Sequence, residues 1–128
     1  MKEFKMWSRV KMSINEYNHI RRVHERDIWW CSMGVNVGDE LDGKGQEFGR
    51  PVLVMKQLSA RMVLIVPLTS SQSEHKYRLD VGYVKRERSK IILSQIRVVD
   101  TRRFMERITI LDKKTFGAIQ KAARELLF

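Results

Sequence analysis

The sequence predicts a mainly β protein: a small barrel with appended helices, one of them at the C-terminus. The first observation is a pair of apolar runs, residues 52–55 and 62–66, separated by the polar stretch 56–61. Their length and β-branched composition favour the two buried strands of a hairpin over a helix. The second observation is a set of further short apolar runs, and the third is an amphipathic segment that follows Asp112. At 128 residues the chain suits a single core.

The remaining elements follow in order along the chain. Asp27 to Met33 is predicted as the first strand, and we expect its two tryptophans to give apolar area to the core. Pro51 should open the first hairpin strand and Pro67 should close the second, because proline cannot donate into a central ladder. Beyond the hairpin, the pattern predicts strands at 77–84, 91–93 and 107–110, a basic turn at 85–90, and a terminal helix capped by Asp112.

Two segments lie outside this pattern. Residues 1–26 carry apolar side chains at spacings of three or four, which predicts a helical N-terminal extension that packs on the barrel or on a partner. A solvated arm is the alternative, and residues 27–128 form the barrel domain in either case. Gly34 to Gly49 contains five glycines in sixteen residues and is predicted as a long loop. Loops of this length are usually functional or disordered.

The net charge of +10 indicates a polyanionic partner, and nucleic acid is the first candidate. A merely basic surface is the alternative. Cys31 is the sole cysteine, which excludes an intrachain disulfide and a cysteine-based metal site, so we expect a small buried side chain. No metal-ligand cluster or nucleotide-binding glycine motif occurs, so no metal and no cofactor are expected. The sequence contains no signal peptide and no apolar run near the roughly 20 residues of a membrane span, which favours a cytoplasmic protein.

The ends of the predicted hairpin carry the residues best suited to chemistry. In an antiparallel pair the start of one strand lies beside the end of the next, so Arg50 and Thr69 should meet at one rim of the sheet. The guanidinium of Arg50 can form bidentate hydrogen bonds to phosphate, or alternatively an ordinary ion pair with Glu40 or Glu47. The Thr69 hydroxyl can donate to a phosphoryl oxygen, or it can simply form a turn at the strand end. Ser70 has the same two possibilities.

Four short motifs follow one another along residues 26–127: Asp-Ile-Trp-Trp at 27–30, Gly-Arg-Pro-Val-Leu-Val at 49–54, Val-Pro-Leu-Thr-Ser at 66–70 and Leu-Ser-Gln-Ile-Arg-Val-Val-Asp at 93–100. The ordered set resembles the MazF/PemK family of toxins from bacterial toxin–antitoxin pairs. The resemblance implies an SH3-like barrel similar to that of MazF and CcdB. It also implies a homodimer and a cognate acidic antitoxin.

The resemblance further implies which residues act at the site. In the family, the arginine before the strand proline and the threonine after the second strand are the catalytic pair, and they match Arg50 and Thr69. Ser70 is added as a catalytic candidate because it continues the same motif.

The expected RNA-binding residues lie in two places. The family's first loop covers the RNA, which implies Glu40 and Lys44 as RNA-binding residues here. That loop is longer in this chain than in many members, so the recognised RNA sequence cannot be carried over. Gln95 and Arg97 follow a predicted strand and could contact a base edge or a phosphate, or could be ordinary polar groups at a strand end.

The sequence leaves open which group removes the proton during catalysis. Arginine has a pKa above about 12 and is a poor base. Asp39 and Glu40 in the long loop are candidates, as is His75, whose ordinary pKa of about 6.5 suits the role.

The predicted function is a sequence-selective, ribosome-independent endoribonuclease of single-stranded mRNA that acts through metal-independent attack of the 2′-hydroxyl. One alternative is a non-catalytic, gyrase-poisoning toxin similar to CcdB. Another is a plain nucleic-acid-binding barrel, which the expected scarcity of exposed aromatic side chains disfavours.

Overall fold

The computed structural model describes residues 22–33 and 49–128. Within these ranges the strands are β1 (Asp27–Ser32), β2 (Gly49–Gln57), β3 (Met62–Thr69), β4 (Arg78–Val84), β5 (Glu87–Ile92), β6 (Arg97–Asp100) and β7 (Phe104–Ile110). A helix, α1 (Lys113–Leu127), follows, and short 3₁₀ turns span Leu93–Gln95 and Thr101–Arg103. The predicted N-terminal extension up to residue 21 and the predicted loop at 34–48 lie outside the described residues.

The strands of the described ranges form one antiparallel sheet in the order β4-β5-β3-β2-β1-β7, and β6 pairs with β3 beside this path. The sheet curls into a half-barrel and α1 packs against it. The predicted mainly β fold with a C-terminal helix is therefore confirmed. No helix in the part of the chain that the structure describes is both long and apolar enough to cross a bilayer.

Strand β3 lies at the centre of the sheet and changes partner along one edge. On one side it pairs with β2, with Val52 opposite Pro67. On the other side it pairs with β6 as far as Ile65, and with β5 from Leu68 onward. The prediction that Pro67 closes its strand is wrong, because β3 continues to Thr69. A proline is tolerated at this position because the second ladder is interrupted between β6 and β5.

The predicted basic turn at 85–90 is also largely wrong. Only Lys85 and Arg86 turn, and Glu87 to Lys90 form the first part of β5. Val84 pairs with Glu87, and Lys85 adopts a positive φ of 60°, so the reversal needs just two residues. The charged sequence looked like a loop, but pairing with β4 makes it a strand. The last strand likewise begins earlier than predicted, at Phe104.

Two apolar clusters occupy opposite faces of the sheet. One contains Ile28 and Leu53 and packs against Phe116 and Ile119 of α1, and the other contains Trp29, Cys31 and Phe104. Because successive residues of a strand face opposite sides, an apolar run can supply both clusters at once. The buried side chain predicted for Cys31 is confirmed.

The same alternation separates the two tryptophans of β1. Trp29 is buried and stacks on Phe104 with ring centroids 5.5 Å apart. Trp30 is 40% exposed, so the expectation that both tryptophans serve the core is wrong for Trp30. Neighbouring residues of a strand face opposite sides of the sheet, so burial of Trp29 does not require burial of Trp30.

Helix α1 begins as predicted. The carboxylate of Asp112 accepts a hydrogen bond of 2.9 Å from the backbone N–H of Thr115, which is the N-cap arrangement. Hydrogen bonds from Thr115 hold the pKa of Asp112 below its ordinary value. Phe116 and Ile119 then place the helix on the sheet.

Candidate active site

The pairing of β2 with β3 brings Arg50 and Thr69 to one rim of the sheet. Val52 lies opposite Pro67, and the same register continued by two residues sets Arg50 opposite Thr69. The Arg50 Nη2 atom donates a hydrogen bond of 3.3 Å to the carbonyl oxygen of Leu68. This bond holds the guanidinium against the end of β3, beside the hydroxyl with which the sequence predicted it would act.

A pocket of about 290 Å³ opens at this rim. It lies where β1, β2, β3 and β5 converge. Its lining residues are Trp30, Gly49, Arg50, Pro51, Leu68, Thr69, Ser70, Glu87 and Ser89. All three residues predicted to be catalytic therefore lie around one pocket.

Arg50 is a half-buried cation whose charge no carboxylate of residues 22–33 and 49–128 balances in an ion pair. Burial lowers its pKa, and the positive charge of Arg78 lowers the pKa further. Among the described residues, no carboxylate lies within ion-pair distance of Arg50. A guanidinium has five N–H donors, so most of them remain available to an anion in the pocket.

Thr69 forms a turn at the end of β3, which was the alternative role predicted from the sequence. Its Oγ1 accepts a hydrogen bond of 3.1 Å from the backbone N–H of Ser71, which fixes the chain just after β3. A hydroxyl that accepts can still donate its own proton. The turn therefore orients the Thr69 hydroxyl without consuming its ability to donate to a phosphoryl oxygen.

The part of the chain described by the structure contains no group of three or more histidine, cysteine, aspartate or glutamate side chains that could hold a metal ion. The pocket's polar groups are instead a guanidinium, hydroxyls and one carboxylate. These groups can bind an oxyanion and move protons.

The family model of the PemK-like, MazF-like toxins of type II toxin–antitoxin systems matches residues 24–127. The chain belongs to this family. Comparison with curated proteins by sequence gives no match.

Solved structures of similar fold agree with this assignment. An endoribonuclease in complex with its cognate antitoxin from a mycobacterial species shares 13% identity at a TM-score of 0.64, over 83% of this chain and 95% of that one. MazF from Deinococcus radiodurans shares 16% identity at a TM-score of 0.64, over 84% and 97%. The Mycobacterium tuberculosis toxin MazF-mt6 shares 15% identity at a TM-score of 0.59, over 78% and 94%. At these identities the likeness establishes a common fold.

Neither of the two predicted RNA-binding residues that the structure describes in this MazF-like chain lines the pocket. Gln95 lies in the 3₁₀ turn after β5, and Arg97 begins β6 opposite Ile65; both are exposed and neither lines the pocket. The charge of Arg97 acts on Cys31: burial raises the pKa of the Cys31 thiol to about 12, and Arg103 and Arg97 oppose the rise. Glu40 and Lys44 lie outside the described residues.

None of the three predicted candidates for the base is among the described residues that line the pocket. Asp39 and Glu40 fall outside the described residues. His75 is exposed, and its Nδ1 accepts a hydrogen bond of 3.2 Å from the backbone N–H of Tyr77. It is not among the pocket's lining residues, whereas Glu87 is.

Sequence reasoning did not single out Trp30, Glu87 or Ser89 as members of the pocket. Glu87 was not predicted as a strand residue because the charged sequence around it resembled a turn. Its position follows only from the pairing of β4 with β5. Trp30 gave no clearer signal: apolar clusters cover both faces of the sheet, so alternation in β1 does not by itself require either tryptophan to be exposed.

The position of the Trp30 indole also explains why residue 49 is a glycine. A Cβ added at Gly49 would lie 2.6 Å from Nε1 of Trp30 and 2.9 Å from the Met105 side chain. Only a residue without a side chain lets the indole lie this close to the start of β2. Gly49 therefore leaves the space that the Trp30 indole occupies beside the start of β2.

Proposed function

We propose that this chain is the toxin of a toxin–antitoxin pair and acts as an endoribonuclease on single-stranded mRNA, sequence-selectively and independently of the ribosome. The observation that carries the proposal is the juxtaposition of Arg50 and Thr69 in one pocket, with no carboxylate paired to Arg50 among the described residues. Family membership and the endoribonucleases of similar fold support it.

The proposed reaction needs no group beyond the RNA and the protein. The ribose 2′-hydroxyl attacks the adjacent phosphorus, the bond to the 5′-oxygen of the next nucleotide breaks, and that oxygen takes up a proton. Arg50 binds the phosphoryl oxygens through its planar fork and stabilises the charge that develops on them. The Thr69 hydroxyl, oriented by its turn, donates to the same phosphoryl group. Ser70 at the pocket edge is a further donor.

Glu87 is the group in the described part of the pocket that can take the proton from the 2′-hydroxyl. A carboxylate is an acceptor at neutral pH, whereas the guanidinium of Arg50 carries no free lone pair for this role. Its place in the lining supports Glu87 over His75. Glu87 lies on β5 and Arg50 lies on β2. The group that accepts the proton and the cation that stabilises the phosphoryl charge therefore come from different strands.

The alternatives make different predictions. A non-catalytic toxin similar to CcdB would leave RNA intact, and so would a plain nucleic-acid-binding barrel. The 40% exposure of Trp30 beside Arg50 provides a stacking surface, so scarcity of aromatic side chains no longer argues against simple binding. Cleavage itself is the observation that separates the proposal from both.

The test incubates purified protein with a long RNA in the absence of ribosomes and maps the cut sites by sequencing. A second substrate carries a single 2′-deoxy substitution at a mapped site. We expect discrete cuts in the first RNA and resistance at the substituted linkage. Cutting of the 2′-deoxy linkage would contradict the proposed attack, and the absence of any cutting would favour one of the non-catalytic alternatives.

The proposal extends to partners and location. A mycobacterial endoribonuclease of similar fold is known in complex with its cognate antitoxin, and a surface with a net charge of +10 supports an acidic antitoxin here. We expect the antitoxin's carboxylates to compete with RNA phosphates for Arg50, in a cytoplasmic homodimer. Competition binding with an uncleavable RNA tests this, and simultaneous tight binding of both ligands would contradict a shared surface.

A further inference from the structure

Arg78, the first residue of β4, lies close to the proposed active site although nothing in the sequence singled it out. Its Nη1 donates a hydrogen bond of 3.3 Å to the Ser71 hydroxyl. The backbone N–H of Ser71 in turn donates to Oγ1 of Thr69 at 3.1 Å. Ser71 therefore contacts both the guanidinium of Arg78, through its hydroxyl, and the hydroxyl of Thr69, through its backbone N–H.

The sheet explains why a residue on β4 reaches this rim. Strand β5 lies between β3 and β4, with Ile91 opposite Leu68 on one side and Ile92 opposite Arg78 on the other. Arg50 donates to the carbonyl oxygen of Leu68 from the opposite side of β3. Arg50 and Arg78 thus approach the end of β3 from its two sides.

The charges of these two arginines act on each other. Arg78 is half-buried, and its positive charge adds to burial in lowering the pKa of Arg50. In residues 22–33 and 49–128, neither guanidinium has a carboxylate within ion-pair distance, and Glu87 lines the pocket without pairing to either. Two like charges held near each other in a partly buried site repel, and an anion bound between or beside them removes that cost.

The contact with Ser71 leaves Arg78 well suited to bind such an anion. The Ser71 hydroxyl also shares a hydrogen bond of 3.1 Å with the Ser73 hydroxyl, so the loop after β3 is ordered around the guanidinium. Counting contacts to the described residues, one N–H of Arg78 is used in this way and four others remain. Ser71 is therefore a positioning residue, and Arg78 is the group free to contact a ligand.

We propose that Arg78 binds a second phosphate of the RNA strand, on the nucleotide linkage next to the one held by Arg50 and Thr69. The proposal rests on the proposed ribonuclease function and deepens it. Contacts to successive phosphates fix the register of a strand on a protein without reading its bases. Arg78 would thereby determine which linkage comes to rest at Arg50, so its loss should weaken RNA binding more than it slows the bond-breaking step.

The probe is a short RNA oligonucleotide that contains a cut site mapped for the wild-type protein and one 2′-deoxy nucleotide that prevents cleavage. Each phosphate near that site is replaced in turn by an uncharged methylphosphonate, and the Kd is measured for every oligonucleotide. For the wild-type protein we expect one linkage adjacent to the cut site to weaken binding by about 10- to 100-fold, as for a lost charge-assisted hydrogen bond.

The deciding variant is Arg78→Met, which keeps the length of the side chain and removes the charge. It should bind the unmodified RNA about as weakly as the wild-type protein binds the methylphosphonate at that linkage, and the same methylphosphonate should then cost nothing further. The slope of log Kd against log salt should fall by about 0.7, the value for one phosphate contact to a single strand. Arg78→Lys should restore the salt slope but only part of the affinity, because a point charge lacks the fork.

Arg86→Met is the matched control, since Arg86 is exposed at the two-residue turn between β4 and β5 and the same charge is lost there. We expect it to retain the sensitivity to the adjacent linkage. Circular dichroism and thermal unfolding check the fold of both variants.

Two results overturn the second phosphate site and are distinguishable from a failure of the proposed function. If the protein cuts and binds RNA but wild type and Arg78→Met respond equally to every methylphosphonate, the second site is wrong and the ribonuclease stands. If no linkage adjacent to the cut site matters in the wild type, the second site is again wrong. If the wild-type protein neither cuts nor binds the RNA, both proposals fail together.

Discussion

The arginines at the pocket rim differ in their electrostatic situation from Arg88 on β5 and Arg102 in the 3₁₀ turn before β7. Arg102 makes two hydrogen bonds to the Asp100 carboxylate, at 3.1 and 3.0 Å, and Arg88 lies 2.6 Å from the carboxylate of Asp80. In both pairs the pKa of the arginine is raised and that of the aspartate is lowered. At the rim, burial and Arg78 together lower the pKa of Arg50.

This difference separates two uses of one side chain. An exposed ion pair is satisfied by its partner and contributes little to stability. A half-buried guanidinium without a carboxylate is left with unused donors and an unfavourable environment, which an incoming anion improves. Within the described residues the rim is thus arranged to receive a ligand, whereas Arg88 and Arg102 serve the protein's own surface.

The largest effect should follow from Arg50→Ala. We expect cleavage to fall by about 10³-fold or more, because the variant removes the donors that stabilise charge in the transition state. The fold should survive, since the side chain ends in the pocket and, within the described ranges, makes a single hydrogen bond to a backbone carbonyl. Cleavage of a long RNA is measured beside circular dichroism.

Arg50→Lys and Arg102→Ala complete that comparison. The lysine variant keeps the charge and should stay well below full activity, because a point charge cannot make a bidentate contact. The Arg102→Ala variant removes a paired arginine and should cut at the wild-type rate. Wild-type cutting by Arg50→Ala would refute the role of the rim, and equal losses in both alanine variants would show that the contrast between paired and unpaired arginines has no functional meaning.

Glu87→Gln should have the next largest effect. If the carboxylate accepts the proton of the 2′-hydroxyl, the amide should slow cleavage by about 10²-fold, the lower end of the range for a lost general base. Its affinity for an uncleavable RNA should be unchanged or higher, since a negative charge leaves a pocket that binds phosphate. A variant that binds and cuts like the wild type would return the role of base to the loop residues Asp39 and Glu40.

A chelation experiment bears on the same chemistry. Because the described residues bring together no metal-binding cluster and the pocket offers its own cation and carboxylate, we expect cleavage to continue in excess EDTA. Restoration of a lost activity by Mg²⁺ or Mn²⁺ after chelation would show that the proposed proton transfers are incomplete. A metal-dependent nuclease serves as the positive control for chelation.

Gly49→Ala should have a moderate effect that acts through Trp30. The added Cβ would lie 2.6 Å from Nε1 of the indole, so the ring must move. We expect a shift in tryptophan emission and roughly tenfold weaker RNA binding, the loss expected when about one base-stacking contact is disturbed. Gly117→Ala in α1 is the control: nothing lies within 4 Å of its added Cβ, and it should stabilise the fold by about 1 kcal/mol. Unchanged emission in Gly49→Ala would contradict the close contact.

The smallest expected effect is on the free energy of unfolding and comes from the ion pair of Arg102 with Asp100. The hydrogen bond from Arg102 is the main cause that lowers the pKa of Asp100, so the unfolded chain binds the proton more readily than the folded one. The stabilisation is therefore complete above the ordinary aspartate pKa of about 3.9 and is lost as the pH falls through the lower value of the folded state. We expect about 0.5 kcal/mol at neutral pH, as for other partly exposed pairs.

Urea unfolding of Asp100→Asn and of the wild type, at neutral pH and near pH 3, measures this contribution. The difference between the two proteins should shrink in acid. RNA cleavage at neutral pH should be the same in both, and a loss of cleavage in Asp100→Asn would bring this edge of the sheet into the functional site.

The parts of the site that the sequence predicted are those set by local pattern. The hairpin follows from two apolar runs and a polar break, its antiparallel pairing places Arg50 opposite Thr69, and Asp112 lies at the required distance before the helix. Glu87 and Arg78 were not predictable in this way. Their positions depend on β5 docking between β3 and β4, and the charged residues 85–90 give no apolar alternation from which that docking could be inferred.

The partner change of β3 has a consequence for how the protein folds. The β2–β3 hairpin joins residues close in sequence, so Arg50 and Thr69 can approach each other early, on the microsecond scale of hairpin formation. The pairing of β3 with β5 and β6, and of β1 with β7, closes much longer segments, and sheets dominated by such pairings fold in milliseconds to seconds. The pocket is complete only after β5 brings Glu87 to the rim. During refolding, recovery of the hairpin should therefore precede recovery of activity, and a newly synthesised toxin passes through an interval in which its two central strands are paired but its active site is not yet assembled.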